Sequence, residues 1–136
     1  MPRTMITWTP NLSVDIKEID EQHQLFIKLM ADIQRAIETK AGREVVGPIL
    51  MELYGYAHFH FSVEEKYFAL FNFSGAVKHV AEHRQFVERL TDLRRRNEQG
   101  NEIAGEVGAF MFEWLVNHIE NMDRQYVQCF HDHGLR

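Results

Sequence analysis

Between residues 16 and 132, apolar residues return in steps of three and four, and every stretch that does so carries at least one histidine in the same register. A side chain that shares the spacing of a helix's apolar stripe shares its buried face. The first row is Ile16, Ile19, His23, Phe26, Met30, Ile33 and Ile37, with His23 its single polar member. The second is Ile49, Leu53, Tyr56 or Ala57, His60, Glu64, Tyr67 and Phe71, and the third is His79, His83, Phe86, Leu90 and Leu93. The fourth is Val107, Met111, Trp114, Leu115, His118 and Met122.

Breaks with glycine at or near them separate the rows, which predicts helices over about 16–39, 45–71, 75–98 and 102–132 behind an extended arm at 1–15 that includes Trp8. Gly42 and Gly100 are expected to end the first and third helices, Ser74 to cap the start of the third, and Gly134 to stop the last. Gly47-Pro48 blurs the start of the second, because proline suits only a first turn. Short connections make sequential helices antiparallel, so the expected fold is all-α, an up-down-up-down four-helix bundle in a single domain spanning 1–136.

Such a bundle would enclose His23, His60, His79, His83 and His118 together with Glu64. Each polar group left unpaired in a core costs on the order of 1–3 kcal/mol, and a bound metal satisfies many at once. The spacing agrees: His79 and His83 in HVAEH stand one helical turn apart, and His60 with Glu64 repeats that step on another helix. Imidazole with carboxylate suits iron, zinc, copper or nickel better than calcium or magnesium, and five histidines exceed one tetrahedral zinc. The single cysteine, Cys129, excludes an internal disulfide and reads as a half-buried thiol.

A net charge of −5 argues against a nucleic-acid footprint, and the basic run at 89–97 reads as a solvated helix end. No stretch approaches the ~20 apolar residues of a membrane span, and the amino-terminal residues lack the apolar core of a secretion signal, so a cytoplasmic location is expected.

IDEQH (19–23), HFSVE (60–64), HVAEH (79–83) and HIENMD (118–123) resemble the ligand motifs of the hemerythrin family, in the same order, from Trp8 to about residue 130. The longer break between the first two helices resembles the prokaryotic branch, the bacteriohemerythrins. The resemblance implies two iron ions with an oxo or hydroxo bridge. His79, His83 and His118 would hold one, His23 and His60 the other, and Glu64 and Asp123 would bridge them. Asp123 enters on the resemblance alone, since an i, i+5 step from His118 turns about 140° around an α-helix.

If both irons are octahedral, one position stays open, on the iron held by His23 and His60. The family places Phe26, Phe61, Trp114, Leu115 and Ile119 around that position, and all five are apolar here. The implied function is reversible O2 binding by a carrier, store or local supplier of oxygen rather than an enzyme. The alternatives are a di-iron enzyme acting on peroxide or nitric oxide, or an O2 sensor acting through a partner; the recipient of the oxygen is not specified. Gln22 and Glu82 are expected at the surface, Asp20 at a helix start, His58 and Glu65 on outer or flanking faces, and His131 and His133 at an exposed helix end.

Overall fold

The computed structural model describes residues 7–136; residues 1–6 of the expected arm lie outside the described residues. Among the described residues every regular element is helical. A short 3-10 turn, Pro10–Leu12, precedes α1 (Lys17–Glu38), α2 (Arg43–Leu70) and α3 (Ala76–Glu98). The fourth rod is composite: α4 (Ala104–Trp114) runs into a π-helical stretch, Leu115–Met122, then a 3-10 turn, Asp123–Tyr126, and α5 (Val127–Asp132). α1 packs on α2, α2 on α3, and α4 on α1, while Phe86 of α3 meets Phe110 and Trp114 of the fourth rod at 4.7 and 4.6 Å to close the ring. The result is an all-α four-helix bundle. None of the helices among the described residues is long and apolar enough to cross a membrane.

All four rods end in the same way. Past α1, the amide of Ala41 donates to the carbonyl of Ala36 and that of Lys40 to Ile37, the paired bonds of a Schellman turn. Asn101 and Gly100 repeat the pattern after α3, and Leu135 and Gly134 after α5. After α2, Phe73 donates to Phe68 in the same register. The left-handed residue of each turn is Lys40 (φ 53°), Asn72 (φ 53°), Gly100 (φ 89°) or Gly134 (φ 84°). Gly42 therefore does not close the first helix. At φ −84° it is the N-cap of α2, which starts two residues earlier than its apolar row suggested and carries Pro48 inside it. Ser74 makes no cap either; Gly75 occupies that position, without a side-chain bond.

The core divides into two apolar clusters. One, around Phe26, Leu53, Phe86, Leu90 and Met111, fills most of the bundle, and Trp8 packs half-buried against it. The other, with Ile16, Ile19, Phe68, Tyr126 and Phe130, closes one end. Asp20 secures the chain entering α1, accepting hydrogen bonds from the Ser13 hydroxyl at 2.5 Å and the Val14 amide at 2.8 Å.

Two glycines make the backbone requirements measurable. Gly100→Ala, which forces a Cβ into left-handed backbone, should destabilise the fold by roughly 1–2 kcal/mol. Gly55→Ala, in the exposed middle of α2 with nothing within 4 Å of the new Cβ, should stabilise it by roughly 0.5–1 kcal/mol. Thermal melting should show the two variants displaced by a few degrees in opposite directions.

Candidate metal centre

Each rod delivers its polar residues to one level of the bundle, in the layer between the two apolar clusters. α1 supplies His23, α2 supplies His60 and Glu64 one turn apart, α3 supplies His79 and His83 one turn apart, and the fourth rod supplies His118 and Asp123. None of the seven is more than 2% exposed.

The place of Asp123 follows from the π-helical stretch. Its amide hydrogen-bonds the carbonyl of His118, an i→i+5 bond, so the two residues stand one turn apart on the same face. The α-helical rotation of about 140° does not apply, because the backbone between them is not α-helical. The side-chain amide of Asn121 also donates to the Val116 carbonyl at 2.7 Å within this stretch.

Asp123 stands between two groups of imidazoles. Its Oδ1 lies 2.9 Å from His79 Nε2 and 3.1 Å from His118 Nε2, while Oδ2 lies 3.0 Å from His23 Nε2. Glu64 also reaches both groups, with Oε1 3.0 Å from His83 Nε2, 3.5 Å from His60 Nε2 and 3.8 Å from His79 Nε2. Its other oxygen accepts a 2.6 Å hydrogen bond from the buried Tyr126 hydroxyl. Two sets, Glu64 with His79, His83 and His118, and His23 and His60 with Glu64 and Asp123, each keep their potential ligand atoms within 4.8 Å of one another.

Despite these short distances, Nε2 of His23, His79, His83 and His118, Oε1 of Glu64 and both oxygens of Asp123 form no hydrogen bond and are buried. They face one another without hydrogen-bond alignment. Seven orphaned ligand-type atoms converging in so small a volume would be strongly destabilising if left unpaired, and their donor chemistry fits a pair of metal ions.

Three further residues hold the imidazoles from behind. His60 Nδ1 meets Gln22 Oε1 at 2.6 Å, His83 Nδ1 meets Glu65 Oε2 at 2.8 Å, and His118 Nδ1 meets Glu82 Oε1 at 2.9 Å. With Nδ1 donating its proton outward, Nε2 presents its lone pair to the centre. The expectation that Gln22 and Glu82 are surface residues and Glu65 a bystander is therefore corrected. Each sits beside a ligand-type residue on its own helix and reaches across to a histidine of the next. Spacing along one helix does not register such a contact. His58 does lie outside, edge-on to Tyr54 at 4.4 Å; at the last helix end His133 is exposed, whereas His131 is half-buried and bonded to the Asp15 carbonyl.

Aromatic rings sandwich the imidazoles. Phe61 stacks on His83 at 3.9 Å, Trp114 on His118 at 3.8 Å, and Tyr56 on His60 at 5.2 Å. Phe26, Phe61, Leu115 and Ile119 belong to the larger apolar cluster, and Trp114 packs against it, so the five expected pocket residues lie on one side of the centre. Tyr56 and Tyr126 were not singled out as site residues. Tyr56 had been allowed an inward place by its register, whereas nothing in the spacing pointed to Tyr126.

Comparison with known proteins agrees with this geometry. The model of the family described as the hemerythrin HHE cation binding domain matches residues 14–130. A bacteriohemerythrin of Pseudomonas paraeruginosa is 33% identical over 129 residues, covering 91% of this chain and 80% of that protein. One of Methylococcus capsulatus is 28% identical over 92% of this chain and 96% of its own length. A solved structure of a hemerythrin point mutant superposes with a TM-score of 0.85 at 26% identity, covering 93% of this chain and 98% of the other.

The buried histidines make the metal-free protein sensitive to pH in both directions. Burial lowers the pKa of His60 from 6.5 to about 4 and that of His83 to about 3, so the unfolded chain takes up protons that the folded one refuses. Their contribution is lost as pH falls below 6.5. For His118 burial acts downward, but Asp123, Glu64 and Glu82 outweigh it and raise the pKa to about 9. Its contribution is complete below pH 6.5 and disappears as pH rises through 9. Urea denaturation of the metal-free protein should give its highest midpoint near pH 6.5, with lower midpoints at pH 4.5 and pH 9. Separately, Glu82→Ala, which frees His118 Nδ1, should weaken binding of a divalent probe such as Co2+ by about 10–100-fold in a spectroscopic titration.

Proposed function

Because the chain belongs to the hemerythrin family, we propose that it binds O2 reversibly at a di-iron centre and serves as a carrier, store or local supplier of oxygen in a prokaryotic cytoplasm. His79, His83 and His118 would hold one iron and His23 and His60 the other, with Glu64 and Asp123 as ligands to both and an oxo or hydroxo bridge beside them. The observation that supports the reading is the inequality of the two groups, three imidazoles against two with Glu64 in both sets, so that the iron held by His23 and His60 would have the room for O2.

Two ferrous ions, when bound there, would supply the electron pair for reversible O2 binding. The protein's own groups keep that exchange reversible. Phe26, Phe61, Trp114, Leu115 and Ile119 exclude water from the vacancy. Gln22, Glu65 and Glu82 fix the ring orientations of His60, His83 and His118, and Tyr126 fixes Glu64 through Oε2. None of the five walls carries an acid to promote cleavage of the O–O bond, which favours binding over oxygenase chemistry.

Iron-loaded, reduced protein should contain about two irons per chain and take up about one O2 per pair of irons. A visible charge-transfer absorption should appear with O2 and vanish under vacuum. Rapid irreversible oxidation with no oxygenated form would sink the proposal. His60→Ala and Glu64→Ala should each abolish the two-iron stoichiometry, and His58→Ala should leave it intact.

A further inference from the structure

We propose that the Tyr56 hydroxyl is the hydrogen-bond donor to the exogenous ligand of the centre, a small molecule or anion with a terminal acceptor atom that enters beside His60. The inference rests on the two-iron reading above and adds a polar contact to a pocket whose five expected walls are apolar.

Tyr56 lies one turn before His60 on α2 and is only 4% exposed. Its ring is stacked on the His60 imidazole, 13° from parallel, and leans on Phe26 at 5.6 Å. It is therefore a wall of the two-histidine side, where the vacancy is. Its hydroxyl oxygen is buried and has no hydrogen-bond partner. Phenylalanine would provide the same packing without burying an unsatisfied hydroxyl, so packing alone does not account for a tyrosine there.

Comparison with the other buried donors sharpens the assignment. Tyr126, the second buried tyrosine at the centre, spends its hydroxyl on Glu64. The Trp114 indole N–H is also buried and unpaired, but that ring stacks on His118, in the three-histidine group. Gln22 is held by its Oε1 against His60 Nδ1, the side of that ring opposite the metal-facing Nε2. Among the described residues, Tyr56 alone combines a buried, unpaired hydroxyl with a place against the two-histidine group.

The test uses the full-length, iron-loaded diferric protein with azide as the probe, titrated by visible absorption. Tyr56→Phe should retain two irons per chain and bind azide about tenfold more weakly, a loss of about 1.4 kcal/mol. The bound azide stretch should shift between H2O and D2O in the parent protein and lose that shift in Tyr56→Phe, a change that a merely structural role would not produce. Tyr54→Phe, which removes a tyrosine hydroxyl outside the centre, beside the exposed His58, should keep both the affinity and the shift.

Unchanged azide affinity and isotope shift in Tyr56→Phe would overturn the inference and leave the two-iron reading standing. Fewer than two irons in the parent protein would instead overturn the reading beneath it. If Tyr56→Phe fails to hold iron, 3-fluorotyrosine at position 56 keeps the ring and acidifies the hydroxyl. It should then tighten azide binding and move the azide stretch, and no change in either would overturn the inference.

Discussion

The interaction on which the structure turns is the placement of the fully buried Asp123 among three imidazoles. Its two oxygens face different histidine groups, and neither oxygen is hydrogen-bonded. A buried carboxylate in that state is tolerable only if cations occupy the space between it and the imidazole nitrogens. The architecture serves that arrangement. Four rods are needed to present five histidines and two carboxylates at one level, and a π-helical stretch is needed to turn Asp123 onto the face of His118.

A second tier of contacts binds the helices to one another through the same residues. Gln22 on α1 holds His60 on α2, Glu65 on α2 holds His83 on α3, and Glu82 on α3 holds His118 on the fourth rod. Each helix thus orients a histidine of its successor. The two histidine groups are also buttressed unequally. The three-histidine group has two carboxylates behind it, whereas the two-histidine group has a neutral amide behind His60 and no hydrogen-bond partner for His23 Nδ1. Carboxylates behind an imidazole raise its basicity as a ligand, so the electron-rich support lies on the three-histidine group. Phe61 and Trp114 stack on His83 and His118 of the three-histidine group, whereas Tyr56 stacks on His60 of the other and carries an unpaired hydroxyl.

Much of this was legible from spacing. Apolar residues at three- and four-residue steps located the four rods, and His23, His60, Glu64, His79, His83 and His118 shared those rows because an α-helix puts residues one turn apart on one face. Glycine was a less faithful guide. Gly100 and Gly134 do adopt left-handed backbone, but Lys40 and Asn72 take the same place after α1 and α2, and Gly42 begins a helix instead of ending one. Once the Schellman bonds form, a lysine or asparagine can be held in a conformation that its own preference disfavours.

Helical periodicity is a local property, so it was sufficient for the number of helices and for the faces that the histidines share. It could not yield Asp123, whose alignment with His118 depends on a change of backbone hydrogen bonding from i→i+4 to i→i+5 that the surrounding packing imposes. Nor could it yield Gln22, Glu65 and Glu82, which lie off the inward rows of their own helices and acquire a role only when the next helix arrives at bonding distance. The same holds for Tyr126 against Glu64, across 62 residues of chain. Those contacts cross from one helix to another, and only the packed bundle brings their atoms together.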